Sequence, residues 1–125
     1  MSLKTVEFIN SSTTRIYVAY MFYDLACGSD CGDPWNVRGW IVLDPGETET
    51  RPNPTGNRFF YDYAEGDDGR IYDTGDYPAE VSRDVFEKCT CLGVSVSHGP
   101  QPYYTVGFQE TDLDEFSGVQ FFPRP

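Results

Sequence analysis

The stretch Trp35-Asn36-Val37-Arg38-Gly39-Trp40-Ile41-Val42-Leu43-Asp44-Pro45-Gly46 constrains the fold most. In an extended strand, successive side chains point to opposite faces. Trp35, Val37, Gly39, Ile41 and Leu43 then share one face, which reads as core. Asn36, Arg38, Trp40 and Val42 share the other, with Arg38 and Trp40 as neighbours able to stack guanidinium on indole. Gly39 between them leaves room for another chain or a large ring to approach. Asp44-Pro45-Gly46-Glu47 ends the strand: Pro45 presets φ and Gly46 supplies the positive φ of a type II turn. Two readings stand side by side. Either both tryptophans are core and Arg38 pairs with a carboxylate, or Trp40 and Arg38 form an exposed ligand-binding platform.

The rest of the chain follows the same pattern. Thr5–Ile9 is a short strand, and Asn10-Ser11-Ser12-Thr13 a polar turn. Asn10-Ser11-Ser12 also spells a glycosylation sequon, read here as coincidence. Arg15–Tyr23 is apolar on both faces, which predicts a central strand covered on both sides. Asp24–Pro34 and Glu47–Asn57 read as loops. Arg58–Glu65 is a strand with Phe59, Tyr61 and Tyr63 on one face, and Arg70-Ile71-Tyr72 a short strand within the turn-rich Gly66–Gly75. Val81–Glu87 fits either a strand or one helical turn. Leu92–Ser97 and Tyr103–Gln109 alternate cleanly, and Gly118–Phe122 closes the chain. No helical periodicity is sustained over two turns. The expected fold is all-β, a single-domain antiparallel β-sandwich or small barrel of short strands spanning residues 1–125.

Several of these segments resemble a small, mostly bacterial domain-of-unknown-function family, numbered one thousand and thirty-six. The matching pieces are Phe8-Ile9-Asn10-Ser11-Ser12 with Ile16-Tyr17-Val18-Ala19-Tyr20, then Trp35-Asn36-Val37-Arg38-Gly39-Trp40 with Pro45-Gly46, and Phe59-Phe60-Tyr61-Asp62-Tyr63-Ala64-Glu65. The later half matches through Val85-Phe86 and Gly107-Phe108. The family often places cysteines after the Pro-Gly turn and after the Tyr-Ala-Glu segment. Here Glu47, Thr48, Ala79 and Glu80 stand near those places, so no family disulfide carries over. The resemblance implies architecture and no activity.

With 125 residues and a net charge of −11, the chain suits one domain and repels nucleic-acid phosphates and anionic lipid heads. No apolar run is long enough to insert in a bilayer. Met1-Ser2-Leu3-Lys4 leads straight into Val6–Ile9 without the apolar region of a signal peptide. Ser2-Leu3 is compatible with an expression scar, so this start says little about a leader. Monomer or weak homo-oligomer is the expected state.

Cys27 and Cys31 form one cysteine cluster, Cys89 and Cys91 the other. Four cysteines permit three pairings. A Cys89–Cys91 ring is strained, which favours crosswise bridges. A four-thiolate zinc site and free thiols remain the alternatives. Disulfides favour an extracytoplasmic location. The acidic stretch with Glu65, Asp67, Asp68, Asp73 and Asp76 has the oxygen-ligand chemistry of a calcium loop without EF-hand spacing, and equally reads as soluble turns. Asp112, Asp114 and Glu115 form a second acidic turn. His98, the one histidine, reads as a turn residue, since no nucleophile elbow accompanies it. No resident cofactor is expected; calcium or zinc are the metal candidates.

The expected function is a non-catalytic binding domain that recognises carbohydrate or protein through Trp35, Arg38, Trp40, Phe59, Tyr61 and Tyr63. One alternative is a small hydrolase using Asp62, Glu65 or Asp73. Another is a metal-binding structural or assembly module, with the Val119–Phe122 edge open to strand addition.

Overall fold

A computed structural model describes residues 4–24, 34–53, 58–91, 103–113 and 119–122. The described residues form ten strands and no helix: β1 (Lys4–Asn10), β2 (Ile16–Tyr23), β3 (Pro34–Leu43), β4 (Thr48–Asn53), β5 (Phe59–Gly66), β6 (Ile71–Asp73), β7 (Tyr77–Ser82), β8 (Phe86–Cys91), β9 (Tyr103–Asp112) and β10 (Val119–Phe122). They make two sheets. The larger runs β7-β9-β5-β2-β3-β8 with β6 beside β5, and the smaller runs β10-β1-β4. The larger is antiparallel throughout, whereas β10 joins β1 in parallel.

The large sheet has to curl. Its edge strands β7 and β8 are consecutive in sequence, joined only by Arg83-Asp84-Val85. Laid flat, five inter-strand steps separate those edges by roughly 24 Å. The chain from Ser82 to Phe86 reaches about 14 Å at most. The sheet therefore bends into an antiparallel half-barrel. Its inner face brings together residues from both edges, Ala79 and Val81 of β7 and Phe86 of β8, with Ala19, Met21, Trp35, Val37, Tyr61, Tyr63 and Phe108. The indole N–H of Trp40 donates to the Ser82 carbonyl at 2.7 Å, a direct tie between β3 and β7 across the curl.

On the outer face, the small sheet packs through Val6 and Phe8 onto Ile16, Val18, Tyr20, Phe22, Ile41, Leu43, Phe60 and Ala64. Strand β2 lies between β3 and β5 and contributes to both cores, as its two apolar faces predict. Each large apolar side chain buried this way contributes about 1.5–3 kcal/mol relative to exposure.

The structure corrects three expectations. The first concerns β3, whose side chains do not alternate along its whole length. Val18 pairs with Ile41 but Ala19 pairs with Gly39, so Trp40 is an extra residue in the ladder. That register shift sends Trp35 and Val37 to the inner core and Ile41 and Leu43 to the outer one. Trp40 packs with the inner cluster, T-shaped on Phe86 at 6.0 Å and tilted on Tyr63 at 6.2 Å. The peptide bond between Gly39 and Trp40 is cis. Second, Thr48–Asn53 is a strand, not part of a loop. Its polar, proline-containing sequence is tolerated because β4 is an edge strand of the small sheet. Third, Val81–Glu87 is neither one strand nor a helical turn: it is the end of β7, a turn and the start of β8. The room beside Gly39 is filled from within, since a Cβ there would sit 2.3 Å from the Phe86 ring. The expected Leu92–Ser97 strand and turn histidine His98 lie outside the described residues, as do Cys27, Cys31, Asp114 and Glu115.

Asn10 explains the turn that carries the sequon. It is fully buried. Its amide donates to the carbonyls of Thr14 and Leu43, both at 2.8 Å, and its oxygen accepts from the Ser12 N–H and hydroxyl. A side chain spent this way locks the β1–β2 turn to the end of β3 and offers nothing to a glycosyl donor.

Candidate functional site

An open cleft of about 400 Å³ lies at one end of the half-barrel, lined by Tyr17, Trp40, Glu65, Gly66, Asp67, Gly69 and Arg83. Five parts of the fold converge there. Tyr17 of β2 and Glu65 of β5 are direct register partners, so their side chains stand together on one face. Trp40 arrives from β3 through the register shift described above. Arg83 comes from the β7–β8 turn. The β5–β6 turn supplies Asp67 and Gly69, whose φ of 81° suits glycine. A second register shift lies beside Glu65, where Ala64 pairs with Asp73 but Glu65 pairs with Ile71. Irregularities of this kind re-aim side chains, and here both fall next to residues that line the cleft.

Phenols hold the carboxylates. Glu65 accepts from the Tyr63 hydroxyl at 2.8 Å and from the Tyr104 hydroxyl at 3.2 Å. Asp67 accepts from Tyr17 at 2.7 Å on one oxygen. Just outside the cleft, Asp68 accepts from Tyr72 at 2.6 Å. The tyrosines respond in their acidity. Burial, then the charge of Glu65, pushes Tyr104 up to about 12. Burial, then the hydrogen bond to Glu65, raises Tyr63 further. The Asp67 hydrogen bond, then desolvation, raises Tyr17. Tyr72 holds the Asp68 carboxyl below its ordinary value.

Arg83 differs from most of its kind in this chain. Arg15, Arg38, Arg51 and Arg58 each pair with a carboxylate. Among the described residues Arg83 makes no such pair; its guanidinium lies over the Tyr104 ring, 4.9 Å from the centroid. Glu65 therefore holds the hydroxyl of a ring whose face carries Arg83.

The residues singled out in the sequence scatter. Trp35 is 3% exposed and packs edge-on against Tyr61 and Tyr23 in the inner core. Tyr61 is buried, with its hydroxyl on Glu110, and Tyr63 is buried behind Glu65. Phe59 is half-buried under the Arg58 guanidinium. The stacked Arg38–Trp40 platform is not formed. Arg38 lies over Phe22 at 5.0 Å and ion-pairs Glu87 at 3.0 Å, while the indole packs on the inner side. Arg38 and Trp40 do both line a second cleft of about 410 Å³, with Tyr20, Arg51, Phe86 and Glu87.

Of the acidic candidates, Glu65 and Asp67 reach the first cleft, Asp73 is buried, and Asp68 and Asp76 are exposed. Asp62 is buried in the core, and Asp112 pairs with Arg58. Among the described residues no three Asp, Glu, His or Cys side chains gather as an ion-binding group. Cys89 is disulfide-bonded, and its partner sulfur is not among the described side chains. The sequence reading missed Tyr17, Arg83 and Tyr104, because nothing local marks them; the curl of the sheet assembles them.

Comparison with protein-family models, with curated proteins and with solved structures returns no match.

Proposed function

We propose that this chain is a non-catalytic binding module whose ligand is a carbohydrate held in the cleft at Trp40. The observation that carries the reading is a half-buried indole in the wall of an open cleft, beside two carboxylates, a phenol and a guanidinium. Sugar rings present apolar C–H faces for an aromatic wall and hydroxyls for charged partners, and this lining offers one of the first and several of the second. The two phenols on Glu65, one on each oxygen, fix its orientation and leave a lone pair on each oxygen for a ligand donor, which supports a binding role. The resemblance to a domain-of-unknown-function family supplies no activity and leaves the reading on the cleft. The disulfide at Cys89 goes with an oxidising, extracytoplasmic compartment.

The test is titration with neutral and amino-sugar oligosaccharides, read by calorimetry and by tryptophan fluorescence. Binding that Trp40→Ala abolishes and Trp35→Phe retains supports the cleft. Binding that ignores Trp40 places the site elsewhere, and no binding across the panel removes the carbohydrate reading. Because Glu65 and Asp67 line one cleft, glycoside hydrolysis is the second reading. Release of reducing ends that Glu65→Gln abolishes would replace the binding module with an enzyme.

A further inference from the structure

We infer that the ligand of this cleft carries a protonated amine on its ring, as an amino sugar does. The inference rests on the carbohydrate reading above and goes to the charge of the sugar. Ionised carboxylates only accept hydrogen bonds, and an ammonium only donates them. The cleft offers Glu65 and Asp67 as carboxylates. The phenols Tyr17, Tyr63 and Tyr104 already direct their single protons at these carboxylates, so the capacity left over is acceptor capacity. The second oxygen of Asp67 meets no protein donor among the described residues. Trp40 stands in the same lining, and an indole face attracts a cation.

A neutral hydroxyl satisfies such a wall with one proton, whereas an ammonium supplies three and a charge. The surroundings add to this, since the whole chain carries a net −11 and draws cations toward an open cleft. Arg83 is donor-only and holds no carboxylate among the described residues, so it suits an acceptor elsewhere on the ligand, such as a ring or glycosidic oxygen. The lining thus asks the ligand for donors to Glu65 and Asp67, an acceptor for Arg83 and a ring face for Trp40.

The experiment compares glucosamine oligosaccharides with N-acetylglucosamine oligosaccharides of equal length, by calorimetry, using the whole chain. The free-amine form is expected to bind about tenfold tighter. Asp67→Asn is expected to abolish that preference, since an asparagine still accepts from Tyr17 but carries no charge for the ammonium. Asp76→Asn makes the same change in net charge at an exposed position outside the cleft lining, and is expected to leave the preference intact. Equal affinities, or tighter binding of the acetylated form, overturn the amine and leave the carbohydrate reading standing. A preference lost equally in both variants, or matched by spermidine, shows bulk charge attraction and also overturns it. Failure of both sugars to bind removes the carbohydrate reading itself.

Discussion

Tyrosine does much of the work that lysine and arginine perform in less acidic chains. With 20 acidic residues against nine basic ones, ion pairs cannot serve every carboxylate. Phenols serve Glu65, Asp67, Asp68 and Glu110 instead. This has a pH consequence. Tyr63 and Tyr104 hold their protons more tightly in the folded chain than in the unfolded one, so both stabilise the fold below the ordinary phenol value of 10.0. For Tyr104 that contribution disappears as pH rises from there through about 12. Chemical denaturation at a series of alkaline pH values should show stability falling in that window. Tyr104→Phe should flatten the fall, and an unchanged slope would assign the alkaline loss to other groups. Asn10 gives a second expectation at this scale. Asn10→Ala strands the buried Leu43 carbonyl and removes a second bond to the part-buried Thr14 carbonyl, and should cost roughly 1–3 kcal/mol in urea unfolding. Ser11→Ala, at an exposed neighbour, should lie near zero.

At the level of elements, the legible parts were those where one periodicity holds from end to end. Strand β2 keeps strict alternation with two apolar faces, so its central place could be read from residues alone. Strand β3 keeps alternation only as far as Gly39. One extra residue reverses the faces beyond it; Gly39 just before it is the local sign of a bulge, but alternation alone does not show that a residue is inserted there. The cleft inherits part of this: Trp40, Glu65 and Asp67 are visible as candidates, but their neighbours Tyr17 and Arg83 come from a strand and a turn far apart in the chain. Two glycines test how tightly the elements meet. A Cβ at Gly107 would lie 2.0 Å from the Gly75 carbonyl oxygen, and one at Gly39 would lie 2.3 Å from the Phe86 ring. A ring can tilt, whereas a backbone carbonyl moves only with its strand. Both alanine variants should destabilise, within about 1–3 kcal/mol for Gly39→Ala and at or beyond the top of that range for Gly107→Ala. The reverse order would mean that the segment at Gly75 yields more easily than the inner core at Phe86.

For the molecule as a whole, two electrostatic effects compete, and their range decides between them. The pairs Arg15–Asp44, Arg38–Glu87, Arg51–Glu49 and Arg58–Asp112 favour the fold locally. Three of the four are largely solvent-exposed and worth about 0–1 kcal/mol each, while the bidentate Arg58–Asp112 pair, with Asp112 only 15% exposed, lies at the top of that range. Against them stands the self-repulsion of a net charge of −11 compacted into one small volume. At about 0.01 M salt the screening length is roughly 30 Å, longer than the radius of a chain this size, so every excess carboxylate feels the others. At about 0.15 M it falls to roughly 8 Å, which removes most of the distant repulsion but leaves contacts near 3 Å largely intact. Sodium chloride raised across that range should therefore increase the thermal midpoint at neutral pH. Sodium chloride is the salt to use, because sulfate also stabilises by exclusion from the surface. A midpoint that falls would show the local pairs outweighing the net charge. The proposed amine ligand should respond in the opposite sense, since the same salt screens its attraction to Glu65 and Asp67. One titration of salt then separates the fold, which gains from screening, from the cleft, which loses by it.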